Sequence, residues 1–469
     1  MPLSETMRPV RMRRVAIVAG QADLRAALAA VADTGTVQLD STSWAESSAG
    51  PAGRALRAAH ATVDSPALSE WEPDLDELVR GGRLDLLAGE AQLETHAAQA
   101  VRRGEFAALT GWLAESALPD LTARLSRLGA AVVPLPSPPG VDPPTLLPEG
   151  GPWRGSFTEL VTTYGTLPYR DVDPTLPAAA AYVFMFGMMF GDAGHGLLLL
   201  LVALWLRFRP PRRLLWAVRA WPFVLAAGFT SVGFGVLYGE FFGPTGVLPV
   251  LWVAPLEQPM TLLWASVAVG AVLLAAAYAA AVVNRWREGG PRLAVYASSG
   301  GAGLTVFVGL GALAAGLLLH GYVLIGVGVC VTAVGLALSG VGFYAASGGG
   351  AGGMAQAGVE VFDAILRLGS NLFSFARLAA FGLTHAALAG LVWHGTTGLA
   401  DGGLPGTIAA VLVFVLGNAV AFALEALVAA IQALRLEFYE LFSRMFTGFG
   451  EPFHPWRIPI WTDMEEDRS

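Results

Sequence analysis

The chain has 469 residues, 54% of them hydrophobic and only 14% charged, with a net charge of −8. Soluble domains carry roughly 25% charge, so an ordinary soluble enzyme is excluded for the chain as a whole, and the acidic balance is not the footprint of a nucleic-acid partner. No lysine occurs and Cys330 is the single cysteine, which excludes a P-loop lysine, a Schiff-base lysine, an internal disulfide and a cysteine-based metal site.

Residues 1–155 are polar and mixed, and read as a cytoplasmic α+β domain. Arg8, Arg11, Arg13 and Arg14 precede an apolar run, Val15 to Ala19, that is too short for a signal peptide. The run from Arg14 predicts a strand, Ala22 to Asp33 a helix, and Gly35 to Leu39 a second strand. The pattern returns over 106–135: a strand from Phe106 to Trp112, a helix from Pro119 to Leu128, and a strand from Ala130. Two βαβ-like lobes result, separated by residues 54–103, whose Ala, Leu, Glu and Arg content predicts a short helical hairpin. Residues 134–152 read as a Pro/Gly linker, and 156–177 as the lead into the membrane.

The polytopic membrane domain is expected over 178–445. Apolar stretches fall at 178–206, 221–242, 261–283, 293–319, 321–345, 360–398 and 405–445. Arginines cluster at Arg207, Arg209, Arg212, Arg213 and Arg219, and again at Arg285, Arg287 and Arg292, whereas loops 243–260 and 399–404 have none. The positive-inside rule places both clusters in the cytoplasm. With a cytoplasmic N-terminal domain, an even number of crossings must precede Arg207. The stretch 178–206 carries a break, Gly191-Asp-Ala-Gly194-His-Gly196, where glycines permit a tight turn. It reads as a hairpin of two short helices, with one long tilted helix as the alternative. The hairpin gives about eight membrane elements and puts both termini in the cytoplasm. Ser347 to Met354 reads as a flexible linker, and 446–469 as a cytoplasmic tail ending in Asp463, Glu465, Glu466 and Asp467. Trp205, Trp221, Tyr238, Trp252 and Trp286 read as interfacial anchors.

Two arginines inside apolar helical stretches mark the chemistry. Arginine cannot shed its proton, and placing it at a helix centre in a membrane costs at least about 2.5–3.5 kcal/mol. Arg377 shares a helical face with Arg367, Ser370 and Ser374, with Thr384 and His385 two turns on. Asn418, Glu425, Gln432 and Tyr439 recur every seven residues, and Arg435 falls on the same side. Polar faces in a membrane must meet each other, line water or face a partner. For Glu425 and Arg435 the competing reading is a structural ion pair between helices. For Arg367 it is snorkelling to the headgroups. For Asp192, His195 and Glu240 it is contact with interface water at helix ends. No metal site and no cofactor are expected.

Several motifs resemble the large membrane subunit of vacuolar- and archaeal-type rotary ATPases, called a or I. They are Pro168-Tyr-Arg-Asp-Val-Asp173-Pro174-Thr175, then Met185-Phe-Gly-Met-Met-Phe-Gly-Asp192-Ala-Gly-His195-Gly196, and Ser374-Phe-Ala-Arg377-Leu-Ala-Ala-Phe-Gly-Leu-Thr-His385. Glu425 through Ile431-Gln432-Ala-Leu-Arg435-Leu-Glu-Phe-Tyr439, with Gly448-Phe-Gly-Glu-Pro452-Phe453 after it, is similar to the family's last helix. Pro9-Val-Arg-Met-Arg-Arg-Val and Thr110-Gly-Trp112-Leu are similar to its soluble lobes.

The resemblance implies a stator subunit with no ATP-hydrolysing site. Arg377 and Arg435 would face a proteolipid ring, and Glu425, His385 and Gln432 would serve ion half-channels. Asp192, His195, Glu240 and Ser374 stand as further channel or structural polar residues. It implies as partners the proteolipid c-ring, peripheral stalk subunits, central-stalk and catalytic ATPase subunits and the lipid of a prokaryotic plasma membrane, with no nucleic acid. Relatives carry a long coiled coil between the lobes, where this chain has only 54–103. Alternatives are a truncated paralogue acting as an assembly scaffold, or a stand-alone secondary ion transporter.

Overall fold

The computed structural model describes residues 8–40, 50–59, 63, 65–148, 150–210, 212–348 and 350–461. The acidic residues expected in the tail, from Asp463 on, lie outside the described residues. The chain forms two units: Pro9–Leu147 with the segment from Gly450, and Pro148–Phe449.

In the first unit β1 (Met12–Gly20), α1 (Leu24–Thr34) and β2 (Val37–Leu39) are followed by α2 (Pro51–Ala58), β3 (Leu68–Ser69), α3 (Leu75–Arg80) and α4 (Leu84–Gln99). Then come β4 (Val101–Arg103), β5 (Phe106–Ala114), α5 (Leu118–Ser126), β6 (Ala131–Leu135) and, far along the chain, β7 (Ile460–Trp461). The strands of the two lobes interleave in one antiparallel sheet of order β2–β5–β1–β6, with β4 beside β5. Each lobe is therefore a split βαβ unit whose two strands flank a strand of the other. Alternation along β1 buries Val15, Ile17 and Ala19. These pack with Leu28 and Val31 of α1 and Leu121 and Leu125 of α5 in one core. The region 54–103 contains α4, packed against both α2 and α3. Glu94 of α4 accepts the backbone N–H groups of Ala52 and Gly53, capping α2. The segment after 450 is part of this unit: Trp456 N donates to Val37 O, and β7 pairs in parallel with β3.

In the second unit Pro152–Tyr164, within stretches read above as linker, forms a helix, α6. Proline at its first position suits a helix start, and Phe157 is buried against Phe223. Next come α7 (Thr175–Met189), α8 (Ala193–Phe208), α9 (Trp221–Tyr238), α10 (Pro259–Tyr296), α11 (Gly301–Leu318) and α12 (Tyr322–Ala346). Then follow α13 (Gly350–Ser374), α14 (Ala376–Ala400), α15 (Gly403–Leu436), a π-helical turn over Glu437–Phe442, and α16 (Ser443–Met445). Among the described residues six helical segments are long and apolar enough to cross a membrane, and α7 and α8 are shorter apolar helices.

The stretch 178–206 is indeed broken, at 190–192. Tyr182 meets Phe223, Gly187 faces Thr230 and Gly191 faces Tyr238, so α7 runs parallel to α9. Gly196 faces Val232, and Gly228 faces Leu199, so α8 runs antiparallel to it. The chain thus reverses between α7 and α8, and α9 packs against both. At 15 and 16 residues, they are about 23 Å long, short of the roughly 30 Å hydrocarbon core.

Three expectations change. Most of the linker expected over Ser347 to Met354 is the start of α13, despite the low helix propensity of glycine. The expected span 360–398 is two helices, because Phe375 breaks the run and buries its ring against Gly270 of α10. Tyr238 is no interfacial anchor: it is buried, and its hydroxyl donates to Met188 O at 3.2 Å. Near Gly290, where α10 kinks with φ 75°, Asn284 bridges Val172 N and Met445 O.

Candidate functional site

The polar residues of α14 and α15 fall into two groups, separated along α14 by about 12 Å for the eight residues from Arg377 to His385.

The first group is enclosed. His385 is buried on α14, and its Nδ1 contacts the Glu425 carboxylate of α15. His195, at the start of α8, meets its ring edge to face with centroids 5.5 Å apart. Asp192 caps α8, accepting from His195 N at 2.9 Å. It also accepts from Phe242 N at 3.0 Å and Gly243 N at 2.8 Å. The loop that supplies these donors is strained, since Phe242 has φ 51°, a region that costs a non-glycine residue about 1–3 kcal/mol. Gly235 lets it close: a Cβ there would collide with the backbone of Asp192 and Ala193. Glu240 is buried in the same loop, and its carbonyl accepts from Ala193 N. Asn418 is buried on α15 beside this group. The interface-water reading of Asp192, His195 and Glu240 therefore fails, because all three are inside the helical assembly.

The second group is open on one side. Arg377 sits in the first turn of α14, just after the break at Phe375, half-buried. Its Nη1 lies 3.5 Å from Glu440 Oε1. Ser374 stands beside the same carboxylate and donates to Ser370 O. Gln432 is half-buried with Oε1 unpartnered. Arg435 is exposed and makes no hydrogen bond or ion pair among the described residues. It continues an exposed apolar stripe of α15 formed by Val420, Leu424, Leu427 and Ile431. Arg367 is not part of the group: it pairs with Asp363 at 2.6 Å.

The heptad stripe does not extend to Tyr439, which is 71% exposed. The π turn starting at Glu437 widens the helix to i→i+5 bonding, so residues beyond it rotate away from the expected face. Glu437 and Glu440 are buried, continuing the buried positions Ala433 and Leu436 of α15 at i+4 spacing. The sequence analysis gave neither a role. The available signal was two carboxylates three residues apart on a helix already carrying Arg435. Neither oxygen of Glu437 has a partner.

A profile of the V-type ATPase 116kDa subunit family matches residues 99–248. The chain is 30% identical over 357 residues to A-type ATP synthase subunit I of Aeropyrum pernix, covering 64% of this chain and 50% of that one. It is 30% identical over 375 residues to the same subunit of Halobacterium salinarum, covering 67% and 51%. With the Pyrococcus horikoshii subunit it shares 24% identity over 438 residues, covering 86% and 64%. The chain belongs to the subunit I family of rotary ATPases. It spans about half to two thirds of the length of these relatives.

Proposed function

We propose that this chain is the stator membrane subunit of a rotary ATPase, carrying ion half-channels and the arginines that face a proteolipid ring. The observation that carries the reading is Arg435: a permanent charge, exposed beside an apolar helix face, that makes no hydrogen bond or ion pair among the described residues. A fixed cation in that position favours the ionised form of a carboxylate presented by a passing partner. Arg377 supports it from the neighbouring helix, already half-neutralised by Glu440. His385, Glu425, Asp192, His195 and Glu240 then line the half-channel deeper along α14 and α15, and Gln432 and Ser374 lie toward the arginines. The partners in this reading are the proteolipid ring, peripheral and central stalks, catalytic ATPase subunits and the surrounding lipid. The arginine-rich segments 207–219 and 285–292, and both termini, face the cytoplasm.

The test is proton uptake and subunit recovery measured together in vesicles. Arg377→Ala and Arg435→Ala are expected to abolish uptake with assembly intact, Arg→Lys to impair it badly, and Glu425→Gln to be milder. A purely structural pair predicts instead that Glu425→Gln and Arg435→Ala damage assembly alike. Wild-type uptake in Arg435→Ala would end this reading. Orientation is checked separately with Leu215→Cys in a Cys330→Ala background. Labelling by an impermeant maleimide from outside would overturn the topology.

A further inference from the structure

We propose that Asp192, His195 and His385 form a binding site for a divalent transition-metal ion of zinc's chemistry, and that its occupancy arrests proton transfer through the buried group. The second half rests on the function proposed above; the first does not. The ligand atoms of the three residues all lie within 4.8 Å of one another. His195 Nδ1 is 3.9 Å from Asp192 Oδ1, the carboxylate oxygen that already accepts two backbone N–H groups. Both ring nitrogens of His195, and Nε2 of His385, are buried and make no hydrogen bond of good geometry, Asn418 being the polar neighbour of the His195 ring. The two residues are 0% and 2% exposed. Unpaired imidazole nitrogens in the interior are unfavourable unless something takes their lone pairs.

The donor set selects the ion. Two of three ligands are imidazole nitrogens, which suit zinc and its transition-metal neighbours and disfavour calcium and magnesium, which demand oxygen. Glu425 holds His385 through Nδ1, leaving Nε2 as its metal-facing atom; this carboxylate support is the usual outer partner of a metal-bound histidine. Asp192 is fixed by three backbone N–H groups, and Oδ2, accepting only one of them, keeps a free lone pair. Asp192 and Glu425 together offset a divalent charge, as an interior site requires. Tetrahedral zinc at about 2.0–2.1 Å draws its ligand atoms to roughly 3.3 Å apart. From separations within 4.8 Å that is a contraction of at most about 1.5 Å. Three protein ligands leave the fourth position open. A bound ion takes the nitrogen lone pairs that a proton would use.

The full-length chain, stripped with chelator in detergent, is titrated with Co²⁺ as an optical probe and then with Zn²⁺. One saturable equivalent with the intense absorption of tetrahedral cobalt, displaced by zinc, is expected. His195→Gln should weaken binding at least about 100-fold and Glu425→Gln about 10–100-fold. His394→Gln, on a histidine bonded to Gly390 O, should leave it unchanged. Absence of saturable binding, a weak octahedral spectrum, or equal affinity in His195→Gln overturns the site. The wild-type spectrum decides even if a variant fails to fold. In vesicles holding the intact complex, Zn²⁺ should block proton uptake at the concentration that fills the site; filling without block overturns the arrest. If cobalt fails to bind while Arg435→Ala abolishes uptake, the metal site falls and the transport reading stands. If cobalt binds and Arg435→Ala pumps normally, the reverse holds.

Discussion

The two polar groups on α14 and α15 are built on opposite plans. Around Asp192 every feature fixes position: three backbone donors, a strained loop, a glycine with no room for a methyl group, and histidines with no exposed surface. Around Arg377 and Arg435 there is one long ion pair, a π turn and an exposed guanidinium. The same two helices thus carry a pre-set interior and an unfinished edge. The difference shows that burial alone does not mark a working group. At one end the polar groups are enclosed by the helices, and at the other a guanidinium is left exposed.

Three changes sharpen this contrast. Asp192→Asn should have the largest effect on stability, since one carboxylate oxygen becomes a donor facing donors, at roughly 1–3 kcal/mol for each N–H left unsatisfied. Thermal unfolding of the solubilised chain measures it, and a variant as stable as wild type would show that the loop is held by something else. Glu440→Gln should cost less. It loses a 3.5 Å pair but also removes the cost of burying a carboxylate, for a net change under about 1 kcal/mol. Its expected signature is altered proton uptake at nearly unchanged melting temperature; the opposite pattern would make the edge as structural as the interior.

A pH-dependent effect is expected outside the apolar core, at Asp171. Burial, and then the adjacent Glu288, push its carboxyl up to about 8, against the opposing pull of Arg285 and Arg287. A folded value raised above the ordinary 3.8 gives stability that is full below that value and is lost as pH rises toward 8. Asp171→Asn should flatten that slope in melting experiments run across this window. An unchanged slope would assign the pH dependence elsewhere.

What could be read from the residues follows from range. The strands and helices of the α+β unit were legible because period-2 and helical spacing are local, as was the break after Gly191. That β5 inserts between β2 and β1 was not, since nothing within either lobe names its neighbour. Arg377, His385 and Glu425 stood out because charge in an apolar run is conspicuous. Glu437 and Glu440 did not, because a carboxylate at the end of an apolar helix reads as a surface group until its neighbours are known. The Gly-rich start of α13 misled through its composition, which opposes the helix that forms there.

The shortness of α7 and α8 has an electrical meaning. A bilayer deforms, or admits water, to meet elements about 23 Å long. Membrane voltage then falls across a thinner insulator, while the work per charge stays near 2.3 kcal/mol for each 100 mV. The field inside that gap is correspondingly steeper. An ion handed between the interior group and the arginine edge would cross much of the voltage within a few side chains, so transmembrane force would act where the helices are least complete.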